Sequence, residues 1–167
     1  MNPWDINKEN FPVEGSMQDK IRFVLGYAIL APSTHNSQPW RFKIKEGSCK
    51  IYYDGGLKLP EADPLGRDLY ISMGCMLENL VIAANYFGIF SDLKIEPNGD
   101  YVGEVLFNNH GGINNEGSSL LEIIPERVNA RGVFNGRIIG EDIKAELLLL
   151  KKADRIHADF ITDKVDI

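Results

Sequence analysis

A chain of 167 residues, 44% hydrophobic and 25% charged, has the composition of a water-soluble folded protein long enough to bury one sizeable core. Its formal net charge of -6 disfavours nucleic acid or an anionic membrane surface as a general partner and suits a cytoplasmic protein. Two cysteines, Cys49 and Cys75, lack CxxC spacing, and His35, His110 and His157 lie far apart, so neither a disulfide framework nor a metal site is expected.

Residues 1–15 are polar, hold Pro3 and Pro12, and read as an extended lead-in without the basic and apolar regions of a secretory signal. Ser16 with Asp19 three positions on resembles a capping box. Ile21, Val24, Leu25, Ala28 and Ile29 then share one helical face, and Pro32 ends that helix. Strands are expected over 40–45 and 49–53 about a turn at Glu46-Gly47-Ser48. Residues 57–64 form an irregular connection, with Asp63-Pro64 placed to start the next helix. From 67 to 87 the run is apolar on nearly every side, which predicts a central buried helix stopped by Gly88. Glu78, Asn79 and Asn85 interrupt it, so it does not read as a membrane span. Residues 93–97 and 101–107 alternate about Asn98-Gly99, a hairpin signal, and 108–119 is an Asn- and Gly-rich loop. A short helix over 119–126 precedes Arg127, Asn129 and Arg131. A helix beginning at Gly140 carries Ile143, Leu147 and Leu150, residues 157–161 are strand-like, and Thr162-Asp163 would cap one more helix. A chain stopping at a helix start is expected to be a fragment of a longer protein.

Residues 31–40, Ala-Pro-Ser-Thr-His-Asn-Ser-Gln-Pro-Trp, suit the interior of neither helix nor strand. Pro32 and Pro39 fix φ and restrict their predecessors, so this helix-to-strand corner is stiff. Ser33, Thr34, Asn36 and Gln38 offer hydrogen-bonding side chains on that frame, while Trp40 anchors its end in a core. Such a corner can present hydrogen bonds to a planar polar ligand. The plainer alternative is that these residues only cap a helix and make a turn.

The string A-P-S-x-x-N-x-Q-P-W-x-F, carried by Ala31, Pro32, Ser33, Asn36, Gln38, Pro39, Trp40 and Phe42, resembles the flavin-facing loop of the nitroreductase family. Asp68-Leu69 to Gly74, Leu77-Glu-Asn-Leu80 and Ala83-Ala84 to Gly88 resemble that family's long core helix at the dimer interface. Arg127-x-Asn129-x-Arg131-x-x-Phe134 is similar to the segment that opens a nitroreductase domain and grips the flavin phosphate. Two guanidiniums flanking a small polar residue can cradle a dianion.

The resemblance implies an α+β nitroreductase-like fold, with an antiparallel-rich mixed sheet packed by helices, a long buried core helix and an incomplete second half. It implies bound flavin mononucleotide (FMN), reduced by NAD(P)H and passing reducing equivalents to a nitroaromatic or quinone-like acceptor. Pro32, Ser33, Thr34 and Asn36 would meet the ring edge and ribityl chain, His35 and Gln38 would belong to the same cofactor-binding site, and Arg127, Asn129 and Arg131 would grip the phosphate. No acid or base among the side chains is required. The corner precedes the two-arginine segment, the reverse of an ordinary member's order. This resembles the tandem-fused, pseudo-dimeric branch, with a first half over 1–119 and the opening of a second over 120–167. A homodimer or pseudo-dimer is therefore expected. Flavin sequestration without turnover and a flavin-free interaction fragment are the alternatives.

Overall fold

A computed structural model describes residues 2–109, 112–114, 118–130, 132–133, 136–149 and 159–160. The chain forms two compact units, Met1–Asn129 and Ala130–Ile167.

The first unit begins with an anchored arm. Residues Pro3–Asp5 and Lys8–Asn10 make single 3-10 turns, each capped by an asparagine side chain. Phe11 stacks on Phe87 at 4.1 Å between ring centroids, and Ile6 covers Gly26, where an added Cβ would lie 2.7 Å from the Ile6 Cδ1. Lys8 also pairs with Glu122. The lead-in reading of 1–15 therefore misses its packing: Ile6 and Phe11 are spaced too irregularly to announce a buried face, yet both rest on the core.

Helix α1 (Met17–Ala28) starts at the predicted capping box, in which the Ser16 hydroxyl accepts the Asp19 N–H and the Asp19 carboxylate accepts the Ser16 N–H. Strands β1 (Trp40–Lys45), β2 (Ser48–Tyr53), β3 (Phe90–Asn98) and β4 (Tyr101–Phe107) form one sheet in the order β1-β2-β4-β3. Every described pairing is antiparallel, which corrects the expected mixed sheet. Two hairpins supply the outer pairs, and the long connection from β2 to β3 returns β4 beside β2 in the opposite sense. Strand β3 starts three residues before its predicted beginning, because Phe90 pairs with Phe107. Pro97, which has no N–H to donate, lies on this edge strand.

Helix α2 (Arg67–Tyr86) joins α1 over the sheet face that carries Cys49, Ile51, Tyr53, Val105 and Phe107. It is not buried all round. Leu69, Met73, Met76, Leu77, Leu80, Ala83 and Ala84 face the core, whereas Tyr70, Ile71, Gly74 and Glu78 are exposed. A run apolar on nearly every side predicts a central buried helix; within this unit only one face has a layer to bury against. Asp63 does support the helix start, accepting the Leu69 N–H at 2.8 Å, although the first turn begins only at Arg67. Beyond the sheet, α3 (Ser118–Ile123) runs into a 3-10 turn over Ile124–Glu126 and buries Leu121 and Ile124.

In the second unit, α4 (Glu141–Leu149) is the described element. Lys144 bonds Glu141 at 2.7 Å and lies 5.8 Å from the centre of the Phe160 ring. The strand expected over 157–161 and the cap at Thr162-Asp163 lie largely or wholly outside the described residues.

Among the described residues, no helix is long and apolar enough to cross a membrane, and no group of three or more His, Cys, Asp and Glu side chains is placed to hold a metal. Cys49 is fully buried, and desolvation pushes its thiol up to about 12, so it stays protonated and unreactive at neutral pH.

Candidate functional site

The corner from α1 to β1 is built by contacts that its sequence does not advertise. After Ala31 and Pro32 the chain makes a 3-10 turn over Thr34–Asn36, in which the Asn36 N–H donates to the Ser33 carbonyl at 2.9 Å. The Ser33 hydroxyl then accepts the Gln38 N–H at 2.9 Å and closes the loop across five positions. Gln38 Nε2 donates to Asn36 Oδ1 at 3.2 Å. Pro39 is buried, and its carbonyl accepts the Asp54 N–H at 2.6 Å, tying the corner to the end of β2.

Three of these residues carry positive φ: His35 at 54°, Asn36 at 55° and Gln38 at 47°. They are the non-glycine residues with positive φ among the described residues. Asparagine tolerates this region; for histidine and glutamine the contact between Cβ and backbone costs about 1 kcal/mol each. The result is outward display, since the side chains of His35, Asn36 and Gln38 are all exposed. Pro32, Ser33 and Thr34 are half-buried behind them, and Trp40 is half-buried against the core, as an anchor and not a displayed ring.

Helix α2 holds the corner from behind. The Ser72 hydroxyl donates to the Asp68 carbonyl at 2.8 Å and accepts the Thr34 N–H at 3.4 Å. Ser72 is buried and is absent from the sequence-derived site. Its signal was a hydroxyl set among Ile71, Met73 and Met76 on a helix that otherwise buries carbon. A buried hydroxyl requires partners, and the ones it takes are the helix backbone and the corner.

The downstream segment reaches the root of the same corner. Arg127 donates through Nη2 to the Leu30 carbonyl at 3.0 Å and through Nη1 to Asn129 Oδ1 at 2.8 Å. Leu30 lies just past α1, so this guanidinium satisfies a carbonyl at the helix C-terminal end, where cations are favoured. Arg127 Nε is buried and has no hydrogen-bond partner. Arg127 therefore meets both Asn129 and the residue two before Pro32, the latter across nearly a hundred positions of chain. Arg131 and Phe134 lie outside the described residues.

The donor set suits a planar polar ring. The displayed groups are amide and imidazole, with the Ser33 and Thr34 hydroxyls half-buried behind them and no carboxylate among them to repel an anionic rim. One buried guanidinium nitrogen with an unused hydrogen lies at the corner's root. That N–H is a group an anion could satisfy.

No family model matches the chain. Parts of it are similar to curated proteins of Mycobacterium tuberculosis. It is 37% identical over 70 residues to "Putative NAD(P)H nitroreductase Rv3131" of strain H37Rv, a match covering 42% of this chain and 20% of that protein. It is 30% identical over 80 residues to "Putative NAD(P)H nitroreductase acg" of the same strain, covering 48% of this chain and 24% of the relative. A third relative, "Uncharacterized protein Rv3127", is 40% identical over 60 residues, 34% of this chain and 17% of its own length. The matched stretches thus span about a fifth of each relative. These partial likenesses support the nitroreductase resemblance drawn from the corner and from α2.

Proposed function

We propose that this chain belongs to an FMN-dependent NAD(P)H oxidoreductase of the nitroreductase type, which reduces nitroaromatic or quinone-like acceptors. The observation that carries the reading is the strained corner, in which His35, Asn36 and Gln38 keep side chains where the backbone favours glycine. The relatives' names point the same way. Flavin mononucleotide, when bound, supplies the two-electron chemistry between nicotinamide and acceptor.

The protein's own part is to hold and orient. Ser33, Thr34, Asn36 and Gln38 present hydrogen bonds to the ring edge and ribityl chain, on a frame stiffened by Pro32 and Pro39. His35 adds an exposed imidazole beside them. Arg127, Asn129 and Arg131 serve the phosphate. Within that group Arg127 has a divided role, because two of its nitrogens already hold the corner's root and Nε alone remains. Arg131 is then the principal phosphate cation. We read residues 1–119 as the first half of a tandem pair and 120–167 as the opening of the second, in a cytoplasmic homodimer or pseudo-dimer.

The test is the visible absorbance of the purified chain after mixing with FMN and desalting. Retained flavin should be bleached by NADH or NADPH. Asn36→Ala should lower retention about tenfold, the loss of one or two hydrogen bonds, while costing about 1 kcal/mol of stability, because alanine tolerates φ of 55° less well than asparagine. Arg131→Ala should abolish retention. Wild-type retention in both variants would overturn the site. Retained flavin that neither nicotinamide bleaches would favour sequestration.

A further inference from the structure

Helices α1 and α2 cover one face of the sheet, and basic side chains gather on the other. On β1 the pattern alternates: Trp40, Phe42 and Ile44 pack against the core, while Arg41, Lys43 and Lys45 are exposed. Across the ladder Arg41 faces Tyr52, Lys43 faces Lys50 and Lys45 faces Ser48. Lys50 in turn faces Glu104 on β4. The outer face of β1, β2 and β4 thus carries four cations and one carboxylate, in a chain whose formal net charge is -6. Asp92 and Glu96, with Lys94 between them, stand apart on β3 at the far edge.

Two features of this face disfavour the isolated sheet. Lys43 and Lys50 are direct cross-strand neighbours, and like charges so placed repel. Among the described residues, no carboxylate forms an ion pair with Arg41, Lys43, Lys45 or Lys50. The second feature is a bulge that interrupts the ladder. Ile51 faces Gly103 but Tyr52 faces Tyr101, so Val102 is an extra residue in β4. Val102 and Gly103 are both buried, and the shift of one position turns Tyr101 to the outer face. Its ring centre lies 5.4 Å from that of Tyr52 and 5.8 Å from Lys50 Nζ. Basic side chains on an edge strand deter unwanted pairing, which accounts for β1. That does not account for Lys50 on an inner strand, or for two tyrosines brought side by side by a bulge.

We propose that this face binds a single-stranded nucleic acid, with Arg41, Lys43, Lys45 and Lys50 on the phosphates and Tyr52 and Tyr101 against the bases. Alternate residues of a strand recur every ~6.8 Å, so the β1 cations form a row along which an extended phosphate backbone can run. Bases turned inward from the Arg41 end meet Tyr52 on the next strand and Tyr101 on the one after. Ring stacking accepts any base, so the site discriminates little between sequences. A duplex keeps its bases paired and offers the tyrosines nothing. An acidic peptide would use the cations and leave the rings idle. The overall negative charge does not forbid this, because exposed charges beyond a Debye length are screened and the local face is basic.

Fluorescence anisotropy of the full chain with a labelled oligothymidylate of about twelve nucleotides tests it, against a duplex of equal length and a polyglutamate peptide. The oligothymidylate should bind more tightly than either comparator, with a log-log salt slope of about -3 for four phosphates. Lys43→Gln combined with Lys50→Gln should weaken binding about tenfold or more and roughly halve that slope. Tyr101→Leu should weaken it about tenfold with the slope unchanged. The lysine variant should melt no lower than wild type, since it relieves a like-charge pair, and circular dichroism checks the fold of Tyr101→Leu. Failure of the wild type to bind the oligothymidylate would overturn the site. So would polyglutamate binding equally well with Tyr101→Leu without effect, which would mark a surface for acidic protein segments. FMN retention should be the same in wild type and variants, so this site and the flavin site stand or fall separately.

Discussion

The first unit reverses its chain sharply at the β3–β4 hairpin and again at the corner between α1 and β1, and it does so by opposite means. At the hairpin, Gly99 takes φ of 61° in open space, where the absence of a Cβ removes the strain. Gly47, Gly66 and Gly88 adopt similar angles elsewhere in the unit. At the corner, His35, Asn36 and Gln38 take those angles with their side chains in place. Glycine would turn the chain there with less strain. What glycine lacks is a hydrogen-bonding side chain, so the corner's composition makes sense if the side chains themselves are used.

The largest effect expected from this contrast is at Gly88. It ends α2 with φ of 65°, and a Cβ there would collide with the Gly112 carbonyl. Gly88→Ala should cost about 3 kcal/mol in denaturant unfolding, whereas Gly99→Ala, with nothing near its Cβ, should cost about 1 kcal/mol. Similar losses at both positions would show that backbone angle alone sets the penalty. His35→Gly reverses the sign: relief of strain should raise stability by about 0.5 kcal/mol, after the added flexibility of the unfolded chain is subtracted. The same variant should retain less FMN. Higher stability with full retention would leave the imidazole without a part in the site. The smallest effect is at the start of α1. The Ser16 hydroxyl, followed by the Ser16 N–H and Arg22, holds the Asp19 carboxyl below its ordinary value. Its contribution is therefore complete above the unfolded carboxylate value and declines as pH falls through the folded one. Asp19→Asn should flatten that acid limb slightly in thermal melts recorded against pH; an unchanged limb would show the carboxylate to be idle.

The plainer reading of the corner, a cap and a turn, is partly realised. Ser33 accepts the Gln38 N–H and Asn36 accepts from Gln38, which are turn-making bonds. They explain how the loop holds its shape. They do not explain exposed histidine and glutamine at angles that disfavour them, and that remainder is where the case for a ligand lies.

Much of the unit was legible from local pattern. The capping box at Ser16, the apolar face of α1, the hairpin at Asn98-Gly99 and the extent of α2 follow from spacing and turn chemistry, because a helix or hairpin satisfies its own backbone within a few residues. Residues 31–40 stood out for the same local reason, since no regular element accommodates them. Tertiary structure decided what spacing does not encode. It selected the face of α2 left exposed, the seating of Ile6 and Phe11, and the pairing of Ser72 with Thr34 and of Arg127 with Leu30. The last two pairings join positions 38 and 97 apart in the chain, and each contact exists because a buried polar group or an apolar surface must find a partner wherever the fold supplies one.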